Sequence, residues 1–154
     1  MYLDQKIRSI PELSRRPRTA EGLEVVSKTL VLAEKPSVAR DIAGGTGCNK
    51  NGNGYFEGQK YIITWALGHL ITLAEPEAYG NRYKSWRMED LPILPGQWKY
   101  AVPRDKKKQL AVLRELMKRP DVEAIVCATD AGREGQLIFQ LVYDYCNCKK
   151  PVQR

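Results

Sequence analysis

The sequence predicts an α/β fold built on a mostly parallel sheet. Two short apolar runs stop abruptly at an acidic residue, as strands buried on both faces do. They are Thr29-Leu30-Val31-Leu32-Ala33 before Glu34, and Ala124-Ile125-Val126-Cys127-Ala128 before Thr129-Asp130. Each run is followed by a stretch with helical start signals, and strands that alternate with helices imply parallel pairing.

Residues 1–28 read as an arm or linker, mixing Pro11 and Pro17 with the basic run Arg15, Arg16, Arg18. The ordered domain is expected over 29–154, with a first strand at 29–33. Pro36 then stands at a first helical turn with Ser37 to help cap it. A helix is expected over 38–43, stopped by Gly44-Gly45, then a glycine- and asparagine-rich loop over 44–54. Residues 55–65 read as a hairpin turning near Gly58. Gly68-His69-Leu70 follows. Residues 75–96, with Pro76, Pro92 and Pro95, read as a long irregular crossing, and 98–102 as a further strand. A helix over 105–118 sets Leu110, Leu113, Leu116 and Met117 on one face, and Pro120 ends it. The second buried strand spans 122–128. A turn at Ala131-Gly132 leads into a helix over 133–145 with Leu137, Ile138, Leu141 and Val142 on its inner side. No repeat is present.

The 154 residues suit one domain, able to bury a core without staples. A composition 43% hydrophobic and 28% charged is that of a globular protein. No run reaches the length of a membrane span, and the start lacks the apolar core of an export signal. These features point to the cytoplasm. The net charge of +7 favours a polyanionic partner. Cys48, Cys127, Cys146 and Cys148 lack the paired spacing of a zinc site and suit a reducing compartment. His69 is the only histidine.

The chemistry-bearing residues lie at strand ends. Glu34 ends one buried strand. Asp130 ends the other, and Glu134 follows in the first turn of the next helix. In open α/β sheets, ligands bind outside the carboxyl ends of the strands, so three carboxylates from two strand ends are expected at one surface. A divalent cation relieves their repulsion, and Mg²⁺ suits such oxygen ligands. The residues alone leave open a helix-capping Asp130 with a solvated Glu134.

Two segments make the resemblance specific. Leu32-Ala33-Glu34-Lys35-Pro36-Ser37-Val38-Ala39-Arg40 resembles the opening motif of type IA DNA topoisomerases, especially their topoisomerase III branch. Ala128-Thr129-Asp130-Ala131-Gly132-Arg133-Glu134-Gly135-Gln136 resembles that family's second Toprim motif, D-x-D-x-E before glycine. Gly68-His69-Leu70 resembles the loop between them. The resemblance runs from about Thr29 to the C-terminus. It implies a Toprim, Rossmann-like sheet with helices on both faces, an inserted β-hairpin and a long loop.

The resemblance also implies roles. Glu34 matches a glutamate acting as general acid or base on the ribose oxygen at the cut, and is also a candidate metal ligand with Asp130 and Glu134. Asp130 and Glu134 match Mg²⁺ ligands. Gly132 stands where the family has its middle acidic residue, which suggests one ion held partly through water. Arg133 matches a basic residue able to meet phosphate, and Lys35 is a candidate for charge stabilisation. In that family a tyrosine attacks phosphorus, leaving a 5′-phosphotyrosine and a free 3′-hydroxyl, and the break is later resealed. None of the eight tyrosines here stands in a context resembling that nucleophile. The nucleophile is expected in a later domain, and this chain alone is expected to be inactive.

Basic residues support a DNA partner. Between Lys99 and Arg119 eight Lys or Arg face two acidic residues, with Lys106, Lys107 and Lys108 consecutive. Arg82-Tyr83-Lys84-Ser85-Trp86-Arg87 interleaves aromatics with cations as single-strand grooves do. Arg82, Arg87, the three lysines and His69 are the candidate DNA contacts. Single-stranded DNA, the remaining domains of the same topoisomerase and a place with the nucleoid follow as expectations. Toprim modules of primases and nucleases are alternatives, as is a DNA-binding domain without metal chemistry. A nucleotide-binding module finds no support, because G-x-G-x-x-G and Walker glycine loops are absent.

Overall fold

A computed structural model describes residues 27–154. The arm, with Arg15, Arg16 and Arg18, lies outside the described residues apart from its last two positions. Lys28 already pairs in the sheet, as the first residue of strand β1 (Lys28–Ala33). Helix α1 (Pro36–Thr46) follows, then strands β2 (Lys50–Gly52), β3 (Tyr55–Glu57) and β4 (Tyr61–Trp65). A two-stranded ladder, β5 (Thr72–Leu73) with β6 (Tyr100–Ala101), brackets the long crossing. Helix α2 (Lys107–Lys118), strand β7 (Val122–Ala128), helix α3 (Arg133–Tyr145) and strand β8 (Val152–Gln153) complete the chain.

The main sheet has six strands in the order β2-β3-β4-β1-β7-β8. Its centre is parallel: β1 pairs with both β4 and β7, and β7 with β8. Strands β2 and β3 add an antiparallel edge. The period of two along β1 divides the core in two. Val31 and Ala33 face α1, packing with Ala39, Ile42, Ala43 and Ile63. Leu30 and Leu32 face α2 and α3, packing with Leu110, Leu113, Ile138, Phe139 and Val142. Helices therefore cover both faces, as the resemblance implies.

Four local readings need correction. Helix α1 does not stop at Gly44-Gly45. It runs to Thr46 and ends at Gly47, whose φ of 69° supplies the left-handed cap. The expected loop over 44–54 contains strand β2, turned back into β3 through Asn53-Gly54 with Gly54 at φ 84°. The positive φ favours glycine there, and a Cβ on Gly54 would also displace the end of the Gln109 side chain, whose Oε1 would lie 2.6 Å away. The crossing is not wholly irregular: it holds three short 3₁₀ turns, Pro76–Tyr79, Asn81–Lys84 and Met88–Asp90. The inner face of α3 is set by Gly135, Ile138, Phe139 and Val142, while Leu137 is exposed.

Candidate active site

The chain direction reverses between the two central strands. From β1 it crosses one face through α1 towards β4. From β7 it crosses the other face through α3 towards β8. The carboxyl ends of β1 and β7 thus flank a topological switch point, where open α/β sheets leave a crevice. Ala33 and Ala128 are register partners there. The next residues, Glu34 on one side and Thr129-Asp130 on the other, enter the crevice together.

Glu34 and Asp130 meet. The Asp130 amide donates to Glu34 Oε2 at 3.3 Å, and Glu34 is only 9% exposed. Asp130 itself is exposed. Glu134 lies in the first turn of α3, with Oε1 3.9 Å from Nδ1 of His69. His69 comes from the loop after β4, which buried Leu70 and Ile71 anchor in the core. Lys106 donates to the His69 carbonyl at 2.8 Å and so ties the start of α2 to that loop. Three parallel strand ends therefore bring Glu34, His69, Asp130 and Glu134 to one edge.

The loop after β7 is held tightly. Buried Thr129 donates from Oγ1 to the Gly135 carbonyl at 2.8 Å. A Cβ on Gly135 would lie 2.2 Å from the Asp130 carbonyl oxygen, so only glycine lets the helix start this close to the strand. The sequence reading gave Gly135 no role, although a glycine in a first helical turn was a visible signal. Gly132 is the N-cap of α3 in extended backbone, φ −85° and ψ 174°. Nothing lies within 4 Å of a Cβ built on it. The glycine there is not demanded by positive φ.

Positive charge surrounds the carboxylates. Helices α1, α2 and α3 all begin at this edge, pointing the positive ends of their dipoles at it. Lys35, the N-cap of α1, and Arg133, the first residue of α3, are exposed there. Lys107 and Lys108 are exposed in the first turn of α2, where a cation opposes the dipole. Arg82 and Arg87 are exposed on the crossing, and among the described residues no contact joins either to the carboxylates. Arg82 lies over the Tyr83 ring, 4.5 Å from its centre, and also meets the Tyr83 hydroxyl.

The donors are all hard oxygens, which fits a magnesium-like ion. Among the described residues, no three Asp, Glu, His or Cys side chains converge closely enough to hold a metal ion. The edge fits an ion that takes one or two carboxylates and keeps water or phosphate as its other ligands. It does not present a closed three-carboxylate cage. With Gly132 at the middle position of the motif, the loop carries only the outer two acidic groups.

Comparison with known proteins agrees with this geometry. The family model described as "Toprim domain" matches residues 29–154. DNA topoisomerase 3 of Bacillus subtilis is 54% identical over 129 residues, 84% of this chain. That of Bacillus licheniformis is also 54% identical, and that of Shouchella clausii 53%, over the same share. The chain spans only 18% of the length of each of these relatives. Sheet order, switch-point acids and the family match agree: the chain belongs to the Toprim family, in the form carried by DNA topoisomerase 3.

Proposed function

We propose that this chain is the Mg²⁺-binding Toprim domain of a type IA topoisomerase of the topoisomerase III branch. In this reading it contributes metal ligands and proton transfer to cleavage and religation of one DNA strand, while the attacking tyrosine belongs to a part of the enzyme outside this chain. The observation that carries the reading is the meeting of Glu34 and Asp130 across the switch point, at 3.3 Å.

The Asp130 amide occupies Oε2 of Glu34 and leaves Oε1 to hold a proton. From there Glu34 donates to the 3′ oxygen as the phosphodiester opens, and takes the proton back when the strand is resealed. Arg133 and Lys35 offer positive charge to the phosphate as negative charge shifts between its oxygens. Asp130 and Glu134, beside Glu34, would hold Mg²⁺, which would supply positive charge to that phosphate. His69, Lys106, Lys107 and Lys108 line the approach. Arg82 and Arg87, with Trp86 81% exposed between them, offer a cationic and stacking surface to a single strand. Such an enzyme works on the chromosome, so the same reading assigns it to the nucleoid in the cytoplasm.

The test is plasmid relaxation by the full enzyme, with trapping of the covalent complex. Glu34→Ala is expected to slow cleavage by about 10²–10⁴-fold. Glu34→Gln is expected to be nearly as poor, because an amide does not serve as the acid. Wild-type relaxation by Glu34→Ala would overturn the proton-transfer role.

A further inference from the structure

We propose that Arg154 is a positioning residue for the carboxylate edge, fixing the loop that carries Asp130 and Glu134. Sequence reasoning gave it no role. Strand β8 pairs with β7 in parallel, Ile125 with Val152 and Val126 with Gln153. One further residue brings Arg154 level with the carboxyl end of β7. There its guanidinium makes three contacts with one fork. Nη2 donates to the Asp130 carbonyl at 2.5 Å, Nη1 lies 3.0 Å from Cys127 Sγ, and Nη1 also meets Oε1 of Gln136 in α3.

These contacts reach the strand, the loop and the helix at once. The Asp130 carbonyl that Arg154 holds is the atom against which Gly135 packs. Glycine allows the approach, and the guanidinium gives the carbonyl oxygen a charge-assisted partner. The Asp130 amide is turned the other way, towards Glu34. Clamping the Asp130–Ala131 peptide fixes one side of the Asp130 Cα, and the Glu34 contact fixes the other, so together they set the direction in which the Asp130 side chain leaves the backbone and the start of the helix that carries Glu134. A lysine keeps the charge but lacks the planar fork that serves several acceptors in a fixed geometry.

The inference rests on Asp130 and Glu134 being the metal ligands, and its test separates the two ideas. The 154-residue protein and its Arg154→Ala, Arg154→Lys and Asp130→Ala variants would be titrated with Mn²⁺, followed by the spin resonance of the free ion. Amide hydrogen exchange would be measured in parallel without metal. Arg154→Ala is expected to weaken Mn²⁺ binding by about 10–100-fold, the range for residues that orient ligands, with Arg154→Lys between it and wild type. Exchange at the Asp130 and Gln136 amides, which donate to Glu34 and to the Gly132 carbonyl, should rise in Arg154→Ala, while the amides of α2 stay as protected as before. Wild-type Mn²⁺ affinity in Arg154→Ala, with binding lost in Asp130→Ala, would overturn the proposal. Unchanged exchange at the Asp130 and Gln136 amides would overturn it too. If Asp130→Ala binds Mn²⁺ as wild type does, the metal assignment fails, and the exchange data alone decide whether Arg154 positions the loop.

Discussion

Two glycines of one motif carry opposite demands. Gly135 has no room: its Cβ would meet the Asp130 carbonyl at 2.2 Å. Gly132 has room, ordinary backbone and an N-cap position. Gly135→Ala is therefore expected to destabilise by about 1–3 kcal/mol as an overpacking change. Gly132→Asp is expected to gain a few tenths of a kcal/mol, because Asp caps a helix slightly better than Gly. It also adds the missing carboxylate to the loop and so should tighten Mg²⁺. Denaturant unfolding and calorimetric titration check both, and a Gly132→Asp variant with weaker metal binding would contradict the geometry. The sequence showed the acidic residues, because an acid after an apolar run is a local signal. It did not show which glycine was obligatory. That depends on how a helix start approaches a strand end, and the approach involves Thr129, Gly135 and Arg154 together.

The regular elements were legible where one period dominated. Strands β1 and β7 announced themselves by unbroken apolar runs, and α2 by Leu110, Leu113, Leu116 and Met117, all of which are buried. Helix α3 was read about one residue out of phase: Phe139 packs inward and Leu137 does not. Its apolar residues crowd the boundary of the stripe, so a count of hydrophobics could not orient it. Gly44-Gly45 suggested a stop, yet both sit on the exposed side of α1, where the missing side chains cost propensity but no packing. At the amino end of the sheet, opposite the candidate site, Arg119 bridges Glu57 at 2.8 Å and Asp121 at 2.6 Å, and Lys28 meets Glu57 at 2.5 Å. The Arg119 guanidinium holds both carboxyls below their ordinary values. Groups with depressed folded values add stability that is complete above their unfolded range, about pH 4, and is lost as pH falls through the folded values. Arg119→Met should lose roughly 1.5–3 kcal/mol at neutral pH, the worth of hydrogen bonds to charged groups. It should also move acid unfolding to higher pH. Circular dichroism against pH reads the midpoint, and an unmoved midpoint would show that the network adds nothing.

At the scale of the molecule, charge and topology work together. The 154 residues carry a net charge of +7, and the α-helices among the described residues aim their positive ends at the acidic edge. The 154-residue protein is expected to bind single-stranded oligonucleotides weakly and with strong salt dependence. It should relax no supercoiled plasmid at any Mg²⁺ concentration. Trp86→Ala should cost about 1–3 kcal/mol of strand binding if a base stacks there. Fluorescence anisotropy over a salt series tests both points, and an unchanged affinity would remove Trp86 from the strand path. The sheet order was not legible from sequence. The β3–β4 hairpin was legible at 55–65, but neither the edge strand β8 nor β2 has enough residues to show a period, and pairing across the sheet is a non-local choice. The expectation of helices on both faces came from the family resemblance rather than from composition.

The β5–β6 ladder brings Thr72 beside Ala101 and Leu73 beside Tyr100, so the long crossing leaves and rejoins the domain at one narrow neck. Within it, the Tyr79 hydroxyl accepts from the Lys99 amide at 2.9 Å, and Trp98 packs edge-on to Tyr79. The segment is thus closed by its own contacts. Doubling the length of such a closed segment costs only about 0.6 kcal/mol. Chain length can therefore drift between the neck residues while β1, β4 and β7 keep their register. A variant carrying a label or a foreign loop there should retain the spacing of Glu34, Asp130 and Glu134.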